Sequence, residues 1–353
     1  MIWYLPIEPL EERYTKDWYV QFPREFENAG YECTVIDGNQ ISRNIKTGEF
    51  LDVNATLSYK ASQLEKIGEL FYNGIIKSGD IFFIADLEFW GIESIRYLSV
   101  LNKIPVKIFG FLHAGSYDEE DFYAPCSPFA RDFEEGWINI CDKVFVGSEY
   151  HKALICKKRI IDQDKIVVSG NPFFVEDVRE KVKPNIQKQN KIIHSNLPDW
   201  RKRPNIFLNF VPIIKEARPD VEIVLTTSRN SWGKGWISES ALVLERLGLL
   251  KIKKGLTKAE YYQELAESKV MFSATEQETF GYCIVEAMAF NTNPVVPNRL
   301  SCPEIVNYNA KLLYNDYTEA LEKIFERLSN PVKDLDEGVK VYEKSIKNMI
   351  KYF

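Results

Sequence analysis

Ser273-Ala-Thr-Glu-Gln-Glu-Thr-Phe-Gly-Tyr-Cys-Ile-Val-Glu-Ala-Met-Ala289 carries two glutamates, Glu278 and Glu286, with seven residues between them. The preceding Val270-Met-Phe-Ser273 reads as a short buried strand, and Ile284, Val285, Met288 and Ala289 fall on one face of a helix running from Gly281 to Phe290. The stretch is therefore a strand, a loop and a helix start, with the two glutamates straddling that start. In the first turn the N–H groups of Phe280, Gly281 and Tyr282 lack helical acceptors, and together with the helix dipole they attract a phosphate. Gly281 has no side chain to hold that phosphate away. Glu278, in the loop, would accept hydrogen bonds from hydroxyls beyond the phosphate, and Glu286, two turns along, from a ribose diol. The plain alternative makes Glu278 an ordinary acidic residue of a first turn and Glu286 a solvated helix residue.

Strands alternate with helices on both sides of this stretch, the pattern of parallel sheets covered on both faces. Downstream lies a second short strand in Asn293-Pro-Val-Val-Pro297, followed by Arg299-Leu-Ser-Cys-Pro-Glu-Ile305. Upstream, strands at Lys191–His194, Val221–Thr226 and Leu250–Lys253 belong to the same series. A separate series holds strands Ile2–Leu5, Tyr31–Ile36, Asp80–Ala85, Val106–Leu112 and Lys143–Gly147, with a helix from Thr15 to Asn28 stopped by Gly30. A chain of 353 residues is about twice the usual domain size. The expected fold class is α/β, with two Rossmann-like doubly wound domains facing a central cleft. The first domain spans 1–175, the second 186–333 after a polar linker within Glu176–Asn190, and an amphipathic helix over 334–353 packs back on the first domain. Beyond the carboxyl ends of the first series of strands fall Glu8, Arg13, Asp86, Glu88 and His113, an expected ligand crevice.

Composition narrows the classes of function. No apolar run approaches a membrane span, and Met1-Ile-Trp-Tyr-Leu-Pro6 is too short and lacks the basic flank of a signal peptide, so a soluble cytoplasmic protein is expected. The six cysteines show no CxxC pair and there are three histidines, so no zinc cluster and no required metal is expected. Residues 1–175 hold 18 basic against 27 acidic residues, while the whole chain has a net charge of -6. That balance argues against strong nonspecific attraction to a polyanion, which draws on neutralised phosphates. Ser169-Gly170 and Gly233-Lys-Gly235 form neither GxGxxG nor a P-loop, and Ser148 lies in no GxSxG turn. Dehydrogenase, nucleotide hydrolase and serine hydrolase chemistry are thereby disfavoured.

The stretch from Ser273 to Ile305 resembles the signature of retaining glycosyltransferases of the two-Rossmann (GT-B) type, the glycogen-synthase-like group, whose two glutamates are separated by seven residues. The resemblance implies a nucleotide-sugar donor, most often a UDP-sugar, held by the second domain, and transfer with retention at the anomeric carbon. It implies Glu278 on the transferred sugar and Glu286 on the nucleotide, with a lysine and an arginine after the first strand of the second domain offsetting the diphosphate charge. Lys202 in Arg201-Lys-Arg203 is similar to that lysine. The usual glycine-arginine pair is replaced by Ser195-Asn196, leaving Arg201, Arg203 or Arg229 to take the arginine's part. His113, in Gly110-Phe-Leu-His-Ala-Gly-Ser116, resembles the acceptor-side histidine of the same enzymes, although a lone histidine is commonly structural. Asp86 and Glu88 would orient or deprotonate an acceptor hydroxyl.

The opening Pro6-Ile-Glu-Pro-Leu-Glu-Glu-Arg-Tyr-Thr15, the block Phe109–Tyr117 and Gln277-Glu-Thr-Phe-Gly281 are together similar to bacteriophage-encoded glycosyltransferases. That similarity implies a hydroxymethylated pyrimidine in double-stranded DNA as acceptor, acting in the host cytoplasm, on a flipped base. Lys157-Lys-Arg159, Trp200–Arg203 and the lysines of the last helix would line its entrance, against the opposing Glu119, Glu120 and Asp121. The alternatives are a small molecule, lipid carrier or surface glycan as acceptor, or a noncatalytic sugar-nucleotide or DNA-binding module. A monomer or homodimer is expected.

Overall fold

The computed structural model describes residues 1–10, 13–41, 52–195, 199–227 and 236–353. Contacts divide the chain into two units, Met1–Pro172 with Lys344–Phe353, and Phe173–Glu343.

The first unit runs β1 (Ile2–Leu5), α1 (Thr15–Asn28), β2 (Cys33–Val35), α2 (Val53–Tyr72), β3 (Ile81–Ile84), α3 (Ile92–Leu101), β4 (Lys107–Phe111), α4 (Ser127–Ile140), β5 (Lys143–Val146), α5 (Glu149–Lys158) and β6 (Ile166–Val168). Every pairing is parallel, in the order β2-β1-β3-β4-β5-β6. β1 and β3 are buried throughout and β4 and β5 beyond their first residue, so that their side chains alternate between two cores, while the edge strand β2 is partly exposed. Trp3, Leu5, Phe82, Ile84, Ile108, Val144 and Val146 join one core with residues of α2, α3 and α4. On the other face Tyr4, Phe83 and Phe109 meet rings from α1 and from the chain end, with Phe353 centred 4.7 Å from Phe109 and 5.7 Å from Phe26. The helix expected over Thr15–Asn28 is present with those bounds, ended by Gly30 at φ +87°.

The second unit runs α6 (Val175–Arg179), β7 (Gln189–His194), α7 (Pro204–Ala217), β8 (Glu222–Thr227), α8 (Trp236–Arg246), β9 (Lys251–Lys254), α9 (Lys258–Glu267), β10 (Ser268–Phe272), α10 (Tyr282–Ala289), β11 (Asn293–Pro297), α11 (Cys302–Ile305), β12 (Leu313–Tyr314), α12 (Tyr317–Ser329) and α13 (Leu335–Val339). Its sheet is also parallel, ordered β12-β11-β10-β7-β8-β9. The stretch read as a polar linker holds α6 and the first residues of β7. Where one helix is expected over 334–353, α13 is followed by a 3₁₀ turn (Lys340–Lys344) and a short α14 (Ser345–Ile350). The reason is a change of partner: Val339 packs in a core of the second unit, whereas Lys344 onward belongs to the first.

Strand order fixes where each unit can hold a ligand. In the first sheet the chain reverses its direction of growth between β1 and β3, and in the second between β7 and β10. At such reversals the loops leave the carboxyl edge on opposite sides and open a crevice. Glu8, Asp86 and Glu88 follow β1 and β3; Arg201–Arg203 and Ser273–Gly281 follow β7 and β10. Among the described residues no helix is long and apolar enough to cross a membrane.

Candidate functional site

In the second unit the chain leaves β10 at Phe272, crosses a nine-residue loop and enters α10 through Gly281 at φ +91°. A Cβ there would be strained by that backbone and would sit 3.0 Å from Ile284 Cδ1 and 3.3 Å from Glu278 Cγ. Glycine thus allows both the turn and the approach of Glu278 to the helix start. Phe280 is buried, its ring 4.9 Å from that of Tyr342 and 5.2 Å from Tyr282, so these side chains anchor the helix start in the core.

Lys202 ends a 3₁₀ turn (Trp200–Lys202) that follows β7. Its Nζ donates to Glu278 Oε2 at 2.9 Å, to Gln277 O at 2.6 Å and to Thr275 Oγ1 at 3.3 Å. Sequence reading assigns these two residues to different parts of a donor; the structure brings them into one ion pair that is partly open to solvent. Ser301 Oγ donates to Glu278 O at 3.1 Å and steadies the same loop.

The arginines are already engaged. Arg201 grips Asp199 through Nε at 2.7 Å and a second nitrogen at 3.0 Å. Burial would raise the Asp199 carboxyl, but the Arg201 hydrogen bonds outweigh it and hold its pKa low. Arg203, left-handed at φ +46°, reaches Glu276 Oε2 at 2.6 Å. Arg299 donates to Thr275 O at 3.2 Å and lies 3.8 Å from Glu276 Oε1. Arg229 and Asn196 lie outside the described residues.

Glu286 is only 5% exposed, because α10 is buried from Ile284 through Ala289 rather than along one face. The solvated-helix alternative is thereby overturned. Tyr261 OH donates to Glu286 Oε2 at 2.8 Å and Tyr262 OH to Oε1 at 3.1 Å. Burial, and then the Glu286 charge, push the Tyr261 hydroxyl well above its ordinary pKa, so it remains a donor. Neither tyrosine is apparent from sequence: they sit on α9, and no local spacing links them to Glu286.

In the first unit His113 follows β4. Its Nε2 lies 2.7 Å from Ala85 O, an atom that only accepts, so Nε2 carries the proton. Nδ1 then accepts from Tyr14 OH at 2.8 Å. Burial lowers the His113 pKa although Asp86 opposes it, and the ring stays neutral near pH 7. Both ring nitrogens are thus engaged within the first unit.

Asp86 pairs with Lys60 Nζ at 2.7 Å, and the same ammonium donates to Glu88 O. Burial would raise the Asp86 carboxyl, but Lys60 and His113 hold it below the usual range. Glu88 moves the other way, raised by burial and then by Asp86. Their surroundings thus push the two carboxyls in opposite directions. Glu8 is 2% exposed and accepts from Thr56 Oγ1 at 2.7 Å. Arg13 precedes α1 at the same edge, and its charge helps depress His113. Thr56 and Lys60, both on α2, and Tyr14 are partners the sequence reading did not single out. Ser148 caps α5, accepting from His151 N at 3.1 Å. Arg159, read as part of a basic entrance, is instead buried against Glu134.

Residues 176–348, about half of the chain, match the family described as Glycosyl transferases group 1. No curated protein sequence matches. Among solved structures, sucrose-phosphate synthase from Thermosynechococcus elongatus aligns at TM-score 0.65 with 12% identity, covering 99% of this chain and 97% of that one. The lipopolysaccharide outer core galactosyltransferase WaaB aligns at 0.63 with 15% identity, covering 100% and 99%. HepE of Anabaena, solved with UDP and glucose, aligns at 0.60 with 12% identity, covering 100% and 95%. Two parallel six-stranded sheets with flanking helices and these likenesses make the fold GT-B, the α/β pair of Rossmann-like domains that the alternation of strands and helices predicts and the type that the resemblance implies.

Proposed function

We propose that this chain, matched to the glycosyl transferases of group 1 over residues 176–348, moves a sugar from a nucleotide-sugar donor to an acceptor hydroxyl with retention at the anomeric carbon. The observation that carries the reading is the ion pair of Lys202 and Glu278 at the switch between β7 and β10, beside the left-handed Gly281 that opens α10. An incoming diphosphate would take Lys202 from Glu278, and the freed carboxylate would accept hydrogen bonds from the transferred sugar. Glu286, held by two tyrosines, would accept from the ribose. As the bond between the anomeric carbon and the phosphate oxygen breaks, Lys202, the amides of Phe280 to Tyr282 and an arginine would stabilise the departing charge. The acceptor oxygen bonds to the same face of that carbon, and its proton passes to the departing phosphate. UDP is the nucleotide favoured by the resemblance; HepE of Anabaena was itself solved with UDP.

For the acceptor, the similarity to bacteriophage-encoded enzymes supports a hydroxymethylated pyrimidine in double-stranded DNA. A specific observation favours a neutral acceptor instead: residues 1–175 carry 18 basic against 27 acidic residues. Such a balance disfavours a polyanion and suits the hydroxyls of a small molecule or glycan. The test incubates the protein with hydroxymethylated DNA and a pool of nucleotide sugars and analyses the nucleosides by mass spectrometry. A hexose or pentose added to the base establishes the DNA reading. Donor hydrolysis without addition, abolished by Glu278→Ala, keeps the glycosyltransferase and moves the search to neutral acceptors. Inversion in any product would overturn the retaining mechanism.

A further inference from the structure

Behind the His113 loop lies a buried charge cluster that the reaction outlined above does not use. Glu134 on α4 is 2% exposed, and the Arg159 side chain just past α5 is 4% exposed. Glu134 Oε1 accepts from Ser116 N at 2.6 Å. Its Oε2 accepts from Ser116 Oγ at 3.0 Å and from Arg159 Nε at 2.7 Å. Arg159 returns to the loop through a bond to Ser116 Oγ at 2.8 Å, and its guanidinium lies 5.4 Å over the Tyr117 ring. Tyr117, also buried, donates from OH to His151 Nε2 at 2.6 Å, and burial pulls His151 down to about 3, so that the nitrogen remains an acceptor. Gly115 completes the fit, since a Cβ there would come within 2.8 Å of Glu134 Oε1 and collide with the Tyr117 ring.

Stability does not explain this arrangement. Taking two charges out of water costs several kcal/mol per ion, and well-packed apolar residues of similar volume often hold a fold as well or better. What the pair does that apolar side chains cannot is bind a backbone N–H and a hydroxyl of one loop at fixed distances. That loop runs from His113 to Tyr117 at the carboxyl end of β4, next to the crevice that holds Asp86 and Glu88.

We propose that the Glu134–Arg159 pair is a positioning device for the 113–117 loop, setting the register of His113 against the acceptor. The proposal rests on the reading of this edge as the acceptor side. The test is the double variant Glu134→Met with Arg159→Met, which removes both charges and leaves no unpaired one. The expected result is a melting temperature close to wild type, an unchanged donor KM, and turnover with acceptor lowered roughly 100-fold, the scale of a misplaced reactive group. Hydrogen exchange read by mass spectrometry should show faster exchange in peptides spanning 113–118 and no change in those from the second unit. If the double variant does not fold, Gly115→Ala, which keeps both charges but crowds Glu134 Oε1 and the Tyr117 ring, displaces the same loop and should give the same split. Unchanged exchange at 113–118, or acceptor turnover that merely follows the fraction folded, would overturn the proposal. Faster exchange in a protein that shows no transfer at all, even as wild type, would leave the loop's anchor standing and refute the acceptor reading instead.

Discussion

The charges after β7 and β10 and those after β3 and β4 are arranged on opposite principles. In the second unit Lys202 meets Glu278, Arg201 meets Asp199 and Arg203 meets Glu276, each pair partly open to water. Such pairs are weak and can be traded for a ligand's charges at little cost. In the first unit Glu134 and Arg159 are sealed from solvent and tied to a loop backbone, and breaking them strands a charge. On the function proposed above, the first side would exchange partners with a diphosphate that arrives and leaves, and the second would hold a shape. Glu286, on the helix that follows, departs from this pattern, buried and held by two tyrosines.

The sharpest way to break this comparison is Glu278→Ala. An exchangeable pair predicts a fall in kcat of roughly 10²- to 10³-fold, the scale of losing one transition-state contact, with thermal stability unchanged. A large loss of stability would put Glu278 with the locked groups. Next comes Tyr261→Phe combined with Tyr262→Phe, which removes two donors from a buried carboxylate. At about 1.5–3 kcal/mol for each hydrogen bond to a charged group, it should lower the melting temperature by several degrees and raise the donor KM together.

Acid probes both units at once. His151 in the first and His194 in the second are buried, and burial lowers them to about 3 and about 4. Each takes up its proton in the unfolded chain near the ordinary value of about 6.5 but not in the folded one. The unfolded state therefore binds more protons below that pH, and stability falls as pH falls, by about 1.4 kcal/mol per pH unit for each histidine, until the folded values are reached. Chemical denaturation between pH 7 and 5 measures the slope; His194→Gln and His151→Gln should each remove their share. A flat profile would mean that neither ring is held neutral by the fold. The smallest effect belongs to Arg203→Ala, whose partly exposed pair with Glu276 should contribute less than about 1 kcal/mol in a denaturant titration. Its consequence, if Arg203 serves the diphosphate, is a raised donor KM.

Much of this was legible without coordinates. The strand, loop and helix start that carry Glu278, Gly281 and Glu286 follow from strand and helix periodicity, which is local, and the structure places them as read. The parts that were not legible are contacts across elements. Tyr261 and Tyr262 precede Glu286 by about two dozen residues, with a strand between, and nothing in their spacing marks them as its partners. Arg159 reads as one more residue of a basic run and is instead the buried counterion of Glu134.

The amino-acid sequence by itself determined the alternation of strands and helices and the helix start after Phe280, since each depends on neighbours within a few residues; the left-handed turn at Gly281 came from the structure. Only the tertiary structure decided which charges are exchangeable and which are locked. That distinction depends on how much water each pair keeps and on the partners its remaining lone pairs find, and both are set by segments far apart in the chain.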